Sequence, residues 1–585
     1  MTDGYNKRRV HLEGARKEAL ETSRSRLAVT SVLFAVAFAV ISGRLVELAV
    51  FEDPQARATA TASRTVVQSN SRADILDRNG ILLATSVPTA SVYANPRHLL
   101  DARDAARRIV TVLPEMNGEK LFRRLNPERT FVWIRRNITP NQQFAINALG
   151  LPGIYFRRTE RRVYPHGSLT SHVVGTTDID AKGLTGIERS FDGRLQDSEQ
   201  ALALSLDVRV QSVVRRALDT AIEKFSAVGG AGIVLDVTNG EVLALVSLPD
   251  FEPHFGGDVT AEARFNRVTK GVYEMGSTFK LFTTAMALDS QTIGLTGGFD
   301  ATRPLRVARF VINDYHAKKR WLSVPEILVH SSNIGAAKMA LAVGTKTQQA
   351  YLRALGLTRK AKLELPEVGV PLIPSPWRKI STMTISYGHG IAVSPLQMAN
   401  GIAALVNGGI LRDATLALGA PDAVPAGVQV IKTGTSIKMR KLMRLVVRRG
   451  TGKNAEVEGY LVGGKTGTAD KPVAGGYADS RRVISSFVGA FPIDRPRYVV
   501  LAMVDEPKGT AETFGFATGG WVAAPVVREI VAALGPMMGV APSREAERLP
   551  GPGDPLHIAA GKPRQTARNQ RGRGQSVRGP ARATN

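Results

Sequence analysis

Residues Leu27 to Gly43 (LAVTSVLFAVAFAVISG) run 17 positions without a charge, and this stretch constrains how the rest of the chain can be disposed. A run of that length lies at the lower end of what crosses a bilayer as a helix. Lys7, Arg8, Arg9, Arg16, Lys17, Arg24 and Arg26 precede it, and Glu47, Glu52 and Asp53 follow. Basic flanks stay on the cytoplasmic side. The asymmetry therefore predicts a basic cytoplasmic segment at 1–26, a transmembrane anchor at 27–48, and everything beyond about residue 50 outside. A cleaved signal peptide would have an apolar core of about 7–15 residues with a small-residue cleavage site just after it. Here the Ala-x-Ala patterns fall inside the run, and Arg44 and Leu45 follow it, which favours an uncleaved anchor. Ser31, Ala35, Ala39 and Gly43 place small side chains on one flank. Such a flank admits a second membrane helix, although alanine is common enough here to produce it by chance.

The rest of the 585-residue chain is too long for one core. A module at 52–200 mixes short strand-like and polar stretches, with an Asn79-Gly80 turn signal between apolar runs. The stretches Arg72–Gly80, Arg162–Gly167 and Gly183–Glu188 read by themselves as turns and salt-bridged surface of a β-rich module. From 201 to 540 the pattern changes. Asp207 to Phe225 has helical spacing, and AGIVLDV and EVLALVS flank Asn239-Gly240 as a β-hairpin. ISSFVGAFP and RYVVLAMVD flank Ile493–Pro496 in the same way, and WVAAPVVREIVAAL closes the region as a helix. Strands at both ends with helical sequence between them predict an α/β (α+β) domain, an antiparallel sheet with helices packed on it. Residues 541–585 are rich in Pro, Gly and Arg and read as a basic disordered tail.

With no cysteine in the chain, disulfides, thiol catalysis and thiolate zinc sites are excluded. The nine histidines show no metal-ligand spacing, so no metal and no cofactor are expected. The net charge of +26 asks for an anionic surface or polymer as neighbour. Nucleic acid is set aside because the predicted topology puts the chain on the wrong side of the membrane.

Gly276-Ser277-Thr278-Phe279-Lys280 opens an apolar helical run, which puts Lys280 one turn after Ser277 on the same face. A serine hydroxyl is a weak nucleophile until a base takes its proton. A lysine serves as that base when burial or nearby cations leave it neutral. This Ser-x-x-Lys occurs once. Ser331-Ser332-Asn333 is the only Ser-x-Asn; its first hydroxyl can relay protons and its amide can hold the lysine. Lys465-Thr466-Gly467-Thr468, placed on an edge strand, offers an ammonium, two hydroxyls and open backbone, which suits an extended peptide ending in a carboxylate. Two decoys are set aside. A second Lys-Thr-Gly-Thr at Lys432–Thr435 runs into a helical stretch. Gly459 to Thr466 matches the phosphate-loop pattern, but glycines and a proline, rather than a helix, come after it.

The order Ser-x-x-Lys, Ser-x-Asn, Lys-Thr-Gly resembles the penicillin-binding proteins and serine β-lactamases. Arg72–Gly80, Arg162–Gly167, Gly183–Glu188 and Ser386–Pro395 narrow the resemblance to class B penicillin-binding proteins of the FtsI type, the cell-division branch. The resemblance implies a pedestal domain at 52–200 and a transpeptidase domain at 201–540. It implies Ser277 as acylated nucleophile, Lys280 as its base, and Ser331 and Asn333 as the rest of the catalytic cluster. Lys465, Thr466, Gly467 and Thr468 would bind substrate, and the amides of Ser277 and Thr468 would form the oxyanion hole. The implied reaction cross-links peptidoglycan stem peptides on lipid-linked precursor strands at the septum, outside the inner membrane, with β-lactam antibiotics as inhibitors. Implied partners are an FtsW-type glycosyltransferase and other divisome membrane proteins. His389 takes a structural role on this reading. Met275 stands where a proline is common in the family. Other readings are a side-wall transpeptidase, a non-catalytic division scaffold, and a hydrolase that uses water as acceptor.

Overall fold

The computed structural model describes residues 28–43, 72–254, 259–307, 310–420, 426–471, 482–543, 550–551 and 553–558. The chain divides into two units, Met1–Asn70 and Ser71–Asn585. In the first, residues 28–43 form an exposed helix. Among the described residues no helix is long and apolar enough to cross a membrane, and the remainder of the 27–48 anchor expectation lies outside them.

In the second unit, a five-stranded sheet comprises β1 (Ile75–Leu76), β2 (Leu82–Ala94), β3 (Val132–Ile138), β4 (Ile154–Val163) and β5 (Leu202–Ala203). The order is β3-β2-β1-β5, with β4 also paired to the long β2. Asp77 closes the predicted turn: its Oδ1 accepts the amides of Asn79 and Ile81 at 2.7 and 2.9 Å. Its Oδ2 accepts the Val208 amide at 3.2 Å, which fastens this turn to the next domain's first helix.

The salt-bridged stretches are not surface, as the sequence suggested, but core. Glu188 is fully buried and receives Arg72 Nε at 2.5 Å and Arg162 Nε at 2.7 Å. Residues distant in sequence meet here, and a buried carboxylate is tolerated because two guanidiniums and their hydrogen bonds replace its water.

The second sheet contains β6 (Gly229–Asp236), β7 (Val242–Leu248), β8 (Gly463–Asp470), β9 (Val483–Phe491) and β10 (Tyr498–Asp505). Its order is β8-β9-β10-β6-β7, antiparallel throughout, so both predicted hairpins form and β8 is an edge. Both faces are covered, which is why β10 reads as one apolar run rather than alternating. Val500, Ala502 and Val504 pack under α1 (Val208–Lys224) and the closing helix Ala523–Met537. Val499, Leu501 and Met503 face the opposite layer. That layer holds α2 (Lys280–Asp289), α3 (Asn333–Val343), α4 (Pro395–Val406) and α5 (Thr433–Arg449). Every residue of α2 is buried.

The tail departs from expectation over a short piece. Leu556 and Ile558 are buried in the main core, and Arg449 donates to the Ile558 carbonyl at 3.4 Å. A basic, Pro/Gly-rich composition masked two apolar anchors, each contributing about 1.5–3 kcal/mol on full burial.

Candidate active site

The turn Gly276–Phe279 winds as a tight 3₁₀ segment directly into α2, leaving Ser277 partly open and Lys280 buried beneath it. Gly276 is needed there. Its φ is +55°, and a Cβ would stand 2.5 Å from the Thr468 carbonyl, so the Ser277 turn lies backbone to backbone on β8. Gly388 (φ +78°) supports the turn from the other side, its carbonyl accepting the Gly276 amide at 3.2 Å.

Lys280 Nζ gathers the cluster. It lies 2.7 Å from the Ser331 carbonyl, 2.7 Å from Asn333 Oδ1, 2.9 Å from Ser277 Oγ and 3.1 Å from Ser331 Oγ. Asn333 is oriented by its own Nδ2, which donates to the Asn313 carbonyl at 2.9 Å. Ser331 sits at φ +57°, a left-handed backbone that a non-glycine residue adopts at a cost of about 1–3 kcal/mol. That conformation brings its carbonyl and its hydroxyl to the same amine.

The chemistry follows from counting hydrogens. A neutral amine has two hydrogens and one lone pair. The Ser331 carbonyl and Asn333 Oδ1 can only accept, and they take both hydrogens. The lone pair is left for a hydroxyl proton, from Ser277 or Ser331. Burial first, and the charge of Lys465 second, hold the Lys280 pKa well below that of an ordinary lysine, while Asp314 pulls the other way.

On β8, Lys465 pairs across from Val488 and Thr468 from Ser485. Lys465 is fully buried, and burial lowers its pKa to about 7. Its Nζ donates to the Thr466 carbonyl at 3.0 Å and to Thr466 Oγ1 at 3.2 Å. Thr468 is exposed to the cleft, and its Oγ1 accepts the Gly519 amide at 3.0 Å. Thus Ser277, Lys280, Ser331 and Asn333 share one hydrogen-bonded cluster, and Lys465–Thr468 lie alongside it.

The decoys fall elsewhere. Lys432 precedes α5 and binds the far end of α2, its amide 2.7 Å from Asp289 Oδ1. Residues 463–470 are strand, not the helix that a phosphate loop requires.

Sequence reasoning missed Asn313, Asp314 and Thr451. Asp314 Oδ2 accepts the Ser332 hydroxyl at 2.7 Å, and its Oδ1 accepts the Ile334 amide at 2.9 Å. Nothing in the sequence around Asn313-Asp314 distinguishes it from any polar turn. His389 Nδ1 pairs with Glu274 Oε2 at 2.8 Å, and Glu274 raises its pKa.

Two family models match this architecture. The penicillin-binding protein dimerisation domain matches residues 67–215, and the penicillin-binding protein transpeptidase domain matches residues 230–532. The chain belongs to the class B penicillin-binding proteins. It is 41% identical to the probable peptidoglycan D,D-transpeptidase FtsI of Caulobacter vibrioides over 80% of this chain and 82% of that one. It is 31% identical to the peptidoglycan D,D-transpeptidase FtsI of Escherichia coli over 81% and 85%. The solved apo transpeptidase domain of Burkholderia pseudomallei penicillin-binding protein 3 superposes with a TM-score of 0.53 at 34% identity, covering 58% of this chain and 98% of that one.

Proposed function

We propose that this chain is a peptidoglycan D,D-transpeptidase of cell division, acting through an acyl-serine and inhibited by penicillins. The observation that carries the reading is the buried Lys280 amine, whose two hydrogens have carbonyl-type acceptors and whose lone pair is left to the hydroxyls of Ser277 and Ser331. Relatives named as peptidoglycan D,D-transpeptidases support the substrate class.

In the first step Lys280 takes the Ser277 proton, and Oγ bonds to the carbonyl carbon of the penultimate D-Ala. The amides of Ser277 and Thr468 receive the oxyanion. The C–N bond to the terminal D-Ala breaks, and the proton returns to that nitrogen from Lys280 through the Ser331 hydroxyl. The charge of Lys465 and the hydroxyls of Thr466 and Thr468 hold the leaving residue's carboxylate, while the edge of β8 aligns the peptide backbone. An amine from a neighbouring stem peptide then attacks the ester carbon, Lys280 takes a proton from that nitrogen, and the C–O bond to Ser277 breaks as Lys280 returns the proton to Oγ. Asn333 keeps the amine oriented throughout.

A membrane anchor at 27–48, a periplasmic pedestal at 52–200 and an FtsW-type glycosyltransferase partner complete the proposal. The uncharged run behind a basic flank supports the topology. The test is labelling with a fluorescent penicillin. The parent is expected to label and Ser277→Ala is not; labelling of the alanine variant would sink the assignment. For the septal role, a fluorescent fusion in growing cells is expected to concentrate at midcell, and uniform side-wall signal would overturn it.

A further inference from the structure

Thr451 belongs to none of the motifs. It stands between Gly450 and Gly452 in the turn that follows α5, with its side chain open to solvent. Its hydroxyl oxygen lies 2.7 Å from Thr466 Oγ1 and 3.4 Å from Lys465 Nζ. The three atoms close a triangle whose third edge, Lys465 Nζ to Thr466 Oγ1, is 3.2 Å.

The backbone, rather than a flexible side chain, carries Thr451 to this place. Gly450 packs so tightly that a Cβ on it would stand 2.9 Å from the Val329 carbonyl, two residues before Ser331. Gly520 lies against the Thr451 carbonyl, where a Cβ would stand 2.8 Å away. Asn454, in the same loop, donates to the Gly520 carbonyl at 2.8 Å.

The hydrogen count is again decisive. A charged lysine has three donors. The Thr466 carbonyl accepts one, and the two hydroxyl oxygens accept the others. Between the two threonines one hydrogen is shared, so one hydroxyl hydrogen remains to point outward.

We propose that Thr451 is a positioning residue of the carboxylate site: it accepts from the Lys465 ammonium, donates to Thr466, and so turns the Thr466 hydrogen toward the bound carboxylate. This rests on the reading of Lys465 and Thr466 as carboxylate ligands given above.

One consequence follows. An oxygen that accepts from a buried ammonium holds the proton on it, so removing the Thr451 hydroxyl makes Lys465 lose its proton at lower pH. Thr451 therefore extends the working pH window on its alkaline side.

The experiment measures the second-order rate of acylation by a fluorescent penicillin between about pH 5 and pH 10 for the full chain and for Thr451→Val, Thr451→Ala, Thr451→Ser and Lys465→Ala. The valine and alanine variants are expected to lose about tenfold near neutral pH, with the alkaline limb of the bell moved to lower pH. The serine variant keeps the hydroxyl and is expected to stay within about twofold of the parent, with the parent's bell. A parent-like bell in Thr451→Val or Thr451→Ala overturns the proposal. So does an equal loss in Thr451→Ser, which would mark a packing role. Parent-like acylation of Lys465→Ala instead removes the reading on which the proposal rests, whatever the threonine variants do.

Discussion

Asp314 accepts the hydroxyl of Ser332 at 2.7 Å, and so places a carboxylate at the first turn of α3, beside the Lys280 cluster. It does two things there. It caps helix backbone, since its second oxygen holds the Ile334 amide, and its charge favours the protonated form of Lys280. Asp314→Asn keeps the shape and removes the charge. With less stabilisation of the ammonium, the Lys280 pKa falls further, so the acid limb of the acylation profile is expected to move to lower pH. A limb that stays in place or moves to higher pH would contradict this electrostatic account.

The two lysines predict a bell. Lys280 must be neutral to accept the Ser277 proton, so acylation rises as pH climbs through its depressed pKa. Lys465 must be charged to hold a carboxylate, so acylation falls as pH climbs through about 7 in the free protein. The limbs belong to the coupled pair. Stopped-flow acylation across pH checks this, and a profile flat from about pH 6 to pH 9 would refute it.

Gly388→Ala is expected to slow acylation by on the order of a hundredfold without touching a reacting group. A Cβ at Gly388 would collide with the Gly276 carbonyl, and the residue already sits at φ +78°. The nucleophile turn must then shift, and misplacement by about 1 Å costs on the order of a hundredfold in rate. The check is the acylation rate of folded variant protein. A change of less than about threefold would show that the turn tolerates displacement.

Glu188→Ala tests the pedestal junction. The substitution leaves Arg72 and Arg162 buried without their shared carboxylate, a loss of about 3–5 kcal/mol. Denaturant unfolding is expected to show the region around the first sheet melting earlier than in the parent. A destabilisation below about 1 kcal/mol would mean that water or neighbouring acids replace Glu188.

Much of the architecture could be read from residues adjacent in sequence. Asn239-Gly240 marked its hairpin because a tight turn needs a positive φ, and Gly240 has one, at +83°. The helix after Asp207 was legible from periodicity, and Asp207 does cap it. Leu556 and Ile558 were not legible, because two apolar residues in a polar tail carry no period. The buried state of Arg72, Arg162 and Glu188 was hidden too, since charge in a sequence reads as surface until its partners are known.

By itself the sequence determined which side chains were available and in what order: one Ser-x-x-Lys, one Ser-x-Asn, and a Lys-Thr-Gly followed by a strand. Side-chain type and local period are properties of neighbours along the chain, so they survive without coordinates. Only the tertiary structure decided that Lys280 touches Ser331 and Asn333, that Thr468 lies on Gly276, and that Asp314 and Thr451 adjoin the cluster. Those contacts join segments tens to hundreds of residues apart. They arise because the apolar faces of one sheet and its helices can be buried together in only one register.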